Sequence, residues 1–290
     1  MVYANGWFTG AKTPEDFAKK AKEAASCGFK ALKFDPFGKS YMGISNKELM
    51  YSIDKVQAVR DAIGEDIEIL IEAHGRFNVP AAIKIGKELE KIDNIKWFEE
   101  PLPPDNIEAL KRVKKQSRVP IAVGERMYKR KAFINLLSAN TADIIQPDVS
   151  HAEGISELKK IGSIAEGMYI PFSPHNPSGP VACGATLQLA AFLPNFNIFE
   201  FMATDISCRD KLTTEDLILE DGYLVIPDRP GLGIELKEEN LSKYPYEPVM
   251  LKHYKGMTLF LREPKAPLDN NLCLSSGIYN PQDLARNPCC

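Results

Sequence analysis

No stretch of this sequence is apolar for long enough to cross a bilayer as a helix, which takes about 20 residues. Nor does one sign of charge dominate: 36 basic residues stand against 39 acidic ones, with a net charge of −3 and a pI near 5.9. The basic residues are scattered among the acidic ones, which argues against a nucleic-acid or membrane surface as partner. The opening MVYANGWFTG lacks a basic segment followed by an apolar run, so no secretory leader is expected. Cys27, Cys183, Cys208, Cys273, Cys289 and Cys290 show no paired metal-ligand spacing. A chain of 290 residues also needs no staples, so reduced thiols in a cytoplasmic protein are expected.

What is present is a regular alternation of short apolar runs and amphipathic stretches. VYANGW (2–7) precedes TPEDFAKKAKEAASCG, where Thr13 can cap, Pro14 suits the first helical turn and Gly28 can end the helix. FKALKFD (29–35) reads as a second strand, and SNKE (45–48) as a capping box opening a helix to about Gly64. Strands follow at 67–73, 95–101, 120–125, 143–149, 169–175 and 196–201. Helices fall between them at 79–92, 106–117, 129–139, 154–166 and 180–192. Eight strands, each of the first seven followed by a helix, predict a parallel sheet closed into a (β/α)8 barrel of the TIM type. An open doubly wound sheet is the alternative. DGYLVIPDRPGLGIEL (221–236) reads as a hairpin and turn segment. The expected organisation is a barrel with its closing segment over 1–245 and an irregular extension over 246–290.

The C-terminal ends of the third to eighth strands carry Glu72, Glu99, Glu125, Asp148, His175 and Glu200, one βα unit apart each time. In a barrel those ends converge on the face that carries chemistry. Glu72, Glu99 and Glu125 on neighbouring strands would repel one another unless a hard cation joined them. An all-oxygen set without Cys or His suits Mg²⁺, with Mn²⁺ as a substitute, rather than zinc. In WFEEP the two glutamates point to opposite faces of a strand, and Glu99 is taken as the ligand rather than Glu100.

The runs KFDPFG, IEAHGRF, WFEEPL, GER, QPDVSHAEGI, PHNPSGPVA and PDRPGLG, over about residues 2–245, resemble the mandelate racemase subgroup of the enolase superfamily. The resemblance implies that family's modified barrel, with Mg²⁺ held by Glu72, Glu99 and Glu125. It further implies that His175 is a general base oriented by Asp148, and that Glu200 hydrogen-bonds the substrate near its carboxylate. The chemistry is consistent, because an α-proton of a carboxylate leaves only with a cation on the developing charge and a base beside the carbon. A histidine titrating near neutrality suits that base.

In racemase-like members a second base comes from a Lys-x-Lys pair, but here the second strand reads Lys33-Phe34-Asp35. Lys33 can still supply positive charge to the substrate carboxylate. His74, two residues after Glu72, resembles the acid that expels a hydroxyl in galactonate dehydratase-like members; a hydrogen-bonding role within the loop is the alternative. Arg76, Arg126 and Asn176 are candidates for holding substrate, with supporting roles as the alternative for both arginines. His151 follows the Asp148 strand without an assigned role, and His253 lies where no role is arguable. The metal position usually held by Asp is Glu72.

Family members ordinarily begin with an α+β capping domain, whereas this chain starts almost at the first barrel strand. The expectation is therefore a barrel without that domain, with a separate chain supplying the cap as an open alternative. The expected activity is loss of water from an aldonate or aldarate through an ene-diolate, giving a 2-keto-3-deoxy acid, by a cytoplasmic homo-oligomer. The alternatives are a racemase or epimerase of a 2-hydroxy acid, or a catalytically silent truncated barrel.

Overall fold

A computed structural model describes residues 1–204, 211–215 and 217–243. Seven parallel strands form one curled sheet: β1 (Val2–Asn5), β2 (Ala31–Phe34), β3 (Glu68–Glu72), β4 (Ile95–Glu99), β5 (Ile121–Val123), β6 (Ile144–Ile145) and β7 (Phe199–Met202). Their order is β6-β5-β4-β3-β2-β1-β7, so neighbours in space are neighbours in sequence except where β7 returns to β1. The eighth stave, expected as a strand over 169–175, is reduced to a bridge. Phe172 pairs with Ile145 on one side and Phe196 on the other, and so joins the two ends of the sheet into a ring. Pro171 and Pro174 explain the difference, because neither has an N–H to give to a ladder.

The helices stand where the caps place them. Thr13 and Ser45 each form a reciprocal capping box, opening α1 (Pro14–Ser26) and α2 (Asn46–Ile63). Asn78 and Asn106 cap α3 (Val79–Leu89) and α4 (Ile107–Gln116) through their side chains. The helices α5 (Lys129–Ser138), α6 (Ile155–Glu166) and α7 (Pro180–Phe192) start without a side-chain cap. A hairpin of β8 (Leu219–Glu220) and β9 (Tyr223–Leu224) follows, turning at Asp221 and Gly222 with φ of 45° and 79°. Its tip accepts the Val2 amide on the Gly222 carbonyl, closing over the start of β1. A short helix α8 (Glu238–Leu241) comes last among the described residues. The extension expected over 246–290 lies outside them, and so does His253.

Strand alternation divides the core in two. Outward residues such as Ile69, Ile71, Phe98 and Ile121 pack against the helices in the main cluster. Inward residues form a separate floor of Tyr3, Ala31, Leu70, Trp97, Ala122, Ile144 and Ile198, one from each stave represented. Two residues further along each strand the same inward face carries Asn5, Lys33, Glu72, Glu99, Gly124, Gln146 and Glu200. An apolar floor thus lies directly beneath a polar layer. No helix among the described residues is long and apolar enough to cross a membrane. Cys27 is disulfide-bonded, which corrects the expectation of reduced thiols: sequence spacing does not reveal which sulfurs folding brings together. Cys183 is buried and is not in a disulfide.

Candidate active site

Glu72, Glu99 and Glu125, at the ends of β3, β4 and β5, each place a carboxylate oxygen within 4.8 Å of the other two, and all three residues are buried. The register brings them there: Glu72 pairs with Glu99 across β3 and β4. Trp97, in the floor below, donates its indole N–H to Glu99 at 2.8 Å and so ties the cluster to the core. Glu100 takes no part in that cluster. Its backbone turns into the left-handed region (φ 41°), and its carboxylate instead accepts the Gly124 amide at 2.7 Å.

Lys33 lies among these acids, with its ammonium 2.6 Å from Glu99, 2.9 Å from Glu200 and 3.4 Å from Glu72. One buried cation cannot satisfy so many carboxylates. Burial, and then Glu72 beside it, pushes the Glu99 carboxyl up to about 8. Glu200 is better served. Burial pushes its carboxyl up, but Lys33, His175 and the Asn176 amide outweigh it and hold it at about 2. Burial would lower the Lys33 ammonium, yet Glu200 and Glu99 raise it well above the usual lysine range. Three buried, all-oxygen donors carrying more negative charge than Lys33 can balance fit a hard divalent cation, with Glu72, Glu99 and Glu125 as its ligands.

A histidine–aspartate pair stands on each flank. On one, His175 Nδ1 is 2.7 Å from Asp148, whose other oxygen accepts the amides of Ser150 and His151. The Nε2 of His175 faces the cluster, 3.4 Å from Glu125. Burial would lower this imidazole, but Asp148 and then Glu125 raise it to about 9. On the other flank, His74 Nδ1 is 2.8 Å from Asp35, at the end of β2. Its imidazole also rises to about 9, because Glu72 and Asp35 outweigh burial. Asp35 is the residue that sequence reasoning passed over. It was registered only as the absence of a second lysine, although it stands on the inward face two residues beyond Lys33.

The remaining candidates divide by where their polar atoms go. Arg76 is buried and turned away from the cluster: it grips Asp35 with contacts of 2.7 Å and also donates to the Gly38 and Ala73 carbonyls. Asn176 is buried too. Its amide donates to Glu200 at 2.6 Å, and its side chain donates to the Glu200 carbonyl and the Cys183 sulfur. Asn5, not anticipated from sequence, donates to the other Glu200 oxygen at 2.8 Å. Arg126 is only partly buried, bonded to Glu125 at 3.2 Å and to the His74 carbonyl at 2.5 Å. Gly75 makes that approach possible, since a Cβ there would stand 2.9 Å from the Arg126 guanidinium. His151 sits beside the first flank, its ring centre 6.0 Å from that of His175 and its Nδ1 3.1 Å from the Glu125 carbonyl.

Comparison with known proteins agrees with this architecture. Residues 16–240 match the model of the enolase C-terminal domain-like family. The chain is 38% identical over 248 residues to D-gluconate dehydratase of Thermoproteus tenax, covering 85% of this chain and 50% of that protein. It is 36% identical over 246 residues to D-gluconate/D-galactonate dehydratase of Picrophilus torridus, covering 85% and 63%. The chain therefore spans between half and just under two thirds of the length of these curated relatives. Among solved structures, a member of the enolase superfamily from Salmonella Typhimurium superposes with a TM-score of 0.79 at 30% identity, covering 84% of this chain and 67% of that one. A mandelate racemase/muconate lactonizing enzyme-like protein from Rubrobacter xylanophilus gives 0.77 at 32% identity, covering 85% and 68%.

Proposed function

The chain belongs to the enolase C-terminal domain-like family, and from that premise we propose that it removes water from a sugar acid to give a 2-keto-3-deoxy acid. The observation that carries this reading is the pair of histidine–aspartate dyads on opposite flanks of one carboxylate cluster. Loss of water needs a base at C2 and an acid at the C3 hydroxyl, and two separately held imidazoles supply both. The relatives that are named dehydratases of gluconate, galactonate, xylonate and arabinonate support sugar acids as the substrate class.

His175 takes the C2 proton at Nε2, while Asp148 holds the opposite nitrogen and keeps the ring in place. His74 gives a proton to the C3 hydroxyl, so the C–O bond breaks with its electron pair leaving on oxygen as water. The enol that remains becomes the keto acid by moving a proton. A Mg²⁺ ion held by Glu72, Glu99 and Glu125 would neutralise charge developing on the substrate carboxylate as C2 loses its proton. Lys33 adds a fixed positive charge at the same side of the cluster, and Glu200, gripped by Lys33, Asn5 and Asn176, offers its carboxylate as a hydrogen-bond acceptor. Arg126, only partly buried, is the substrate contact we favour, and Arg76 and Asn176 support the frame. A homo-oligomer in the cytoplasm is the setting that goes with this reading.

A second reading also draws on the opposed dyads: two bases facing one α-carbon would racemise or epimerise a 2-hydroxy acid. A panel of aldonates and aldarates incubated with the protein and Mg²⁺ separates the two. Keto-acid formation that stops on chelation supports the dehydratase; inversion at C2 without loss of water supports the racemase. Neither product from any member of the panel would set the dehydratase reading aside.

A further inference from the structure

His74 is held in a conformation it would not adopt alone. Its φ is 52°, a left-handed backbone that a residue other than glycine keeps only where its surroundings impose it. Here they do: its amide donates to Glu72 at 2.6 Å, and its carbonyl accepts Arg126 at 2.5 Å. These contacts hold the backbone of the residue. The ring is addressed by Asp35 at Nδ1, from a strand 39 residues earlier in the chain.

Asp35 is itself immobilised. Both of its oxygens lie 2.7 Å from one Arg76 nitrogen, and one also accepts the Phe37 amide at 2.9 Å. Arg76 in turn is anchored to the carbonyls of Ala73 and Gly38, so the carboxylate cannot swing away with its partner. A hydrogen bond between an ionised arginine and a carboxylate is stronger than one between neutral groups. The arrangement parallels His175, whose Nδ1 is 2.7 Å from Asp148, a carboxylate fixed by backbone amides rather than by an arginine.

We propose that Asp35, clamped by Arg76, is a positioning residue that fixes the orientation of His74 by holding the Nδ1 proton of the protonated ring against its carboxylate. The fixed orientation is a property of the protein alone; its consequence for the reaction rests on the reading of His74 as the acid that expels the hydroxyl. The sequence position therefore has a purpose of its own: an aspartate stands where a two-base enzyme would carry a lysine, and it holds the histidine of the turn after β3.

The test compares Asp35→Asn and Asp35→Glu with the unmodified chain, using ¹⁵N and proton NMR of His74 together with steady-state kinetics on a sugar acid. In the unmodified protein the Nδ1 proton should give a strongly hydrogen-bonded signal. Asp35→Asn should lose that signal, because a neutral amide holds the Nδ1 proton far less strongly than a carboxylate does. Its kcat should fall by about 10² to 10⁴, the range for a positioned acid–base group, with little change in KM. Asp35→Glu keeps a charge opposite Arg76 and covers the case in which the neutral variant does not fold. It should weaken the same signal and cost less in kcat. An unaltered His74 signal in any folded variant overturns the proposal, and so does a loss confined to KM. Should the unmodified chain turn over no sugar acid, the dehydratase reading fails, while the NMR comparison still decides whether Asp35 fixes His74.

Discussion

The two flanks of the carboxylate cluster carry the same pair of side chains in different frames. On the His175 flank, Asp148 is held by the amides of Ser150 and His151, within the turn that follows its own strand. On the His74 flank, Asp35 is held by an arginine from the loop after the neighbouring strand, and the histidine itself sits in a left-handed turn. His175 Nε2 points at Glu125 from 3.4 Å, whereas the strongest pull on His74 comes from Glu72, whose carboxylate its amide also grips. Equivalent chemical groups can therefore be assigned different tasks by the frames that hold them. A base must be ready to take a proton at the centre of the site; an acid must keep one until a hydroxyl departs.

Replacing the histidines should give the largest effects. Either His175→Asn or His74→Asn should reduce keto-acid formation by about 10² to 10⁴, measured as kcat with saturating Mg²⁺. A variant of either flank that retained full turnover would break the symmetry of the comparison. Next comes the cation between the flanks. Lys33→Met leaves three buried carboxylates without their ammonium, and removing one partner from a buried ion pair costs about 3–5 kcal/mol. In EDTA the melting temperature should drop well below that of the unmodified chain, and Mg²⁺ should restore more of it than it adds to the original. Equal melting curves in EDTA would show that Lys33 does not hold the cluster together.

Glu99→Gln should weaken Mg²⁺ binding in calorimetry by at least about 10- to 100-fold, the loss seen when even a supporting partner of a metal ligand is removed. Glu100→Gln should change it little, because that carboxylate is turned to the Gly124 amide. Since the loss lies between the flanks, both steps of the reaction should suffer equally. The last comparison is the pH dependence of the metal-free protein. His74 and His175 are raised from 6.5 to about 9, and Glu99 and Glu100 from 4.5 to about 8. All four bind protons more tightly when folded, so stability falls as pH rises. The imidazole contribution is complete below about 6.5 and is lost through about 9, and the carboxyl contribution is lost between about 4.5 and 8. Glu200, lowered to about 2, acts oppositely, and its contribution disappears only as pH falls from 4.5 toward 2. Urea melts at pH 6 and pH 9 in EDTA should show lower stability at the higher pH.

Much of this arrangement was legible in the sequence because it rests on local signals. Thr13, Ser45 and Gly64 mark helix ends by their own chemistry, and the ring of strand-end acids follows from a repeat. The eighth stave was harder, since an apolar run around Pro171 and Pro174 looks like a strand but cannot build a full ladder. Asp35 was illegible for a different reason. Its meaning depends on His74 and Arg76, which only the register of β2 beside β3 brings to it. Arg76 and Asn176 show the same limit: their position beyond a strand end places them near the site, but only packing turns one toward Asp35 and the other toward Glu200. The Cys27 disulfide likewise depends on proximity that spacing does not report.

The most direct test of the division of labour is the fate of the C2 proton in deuterated water, with a sugar acid that the unmodified protein dehydrates. His74→Asn should still exchange that proton for deuterium while forming little keto acid, because His175 can start the reaction and trade its proton with solvent. His175→Asn should show neither exchange nor product. Exchange lost in both variants alike, or retained in the His175 variant, would contradict the assignment of base to one flank and acid to the other.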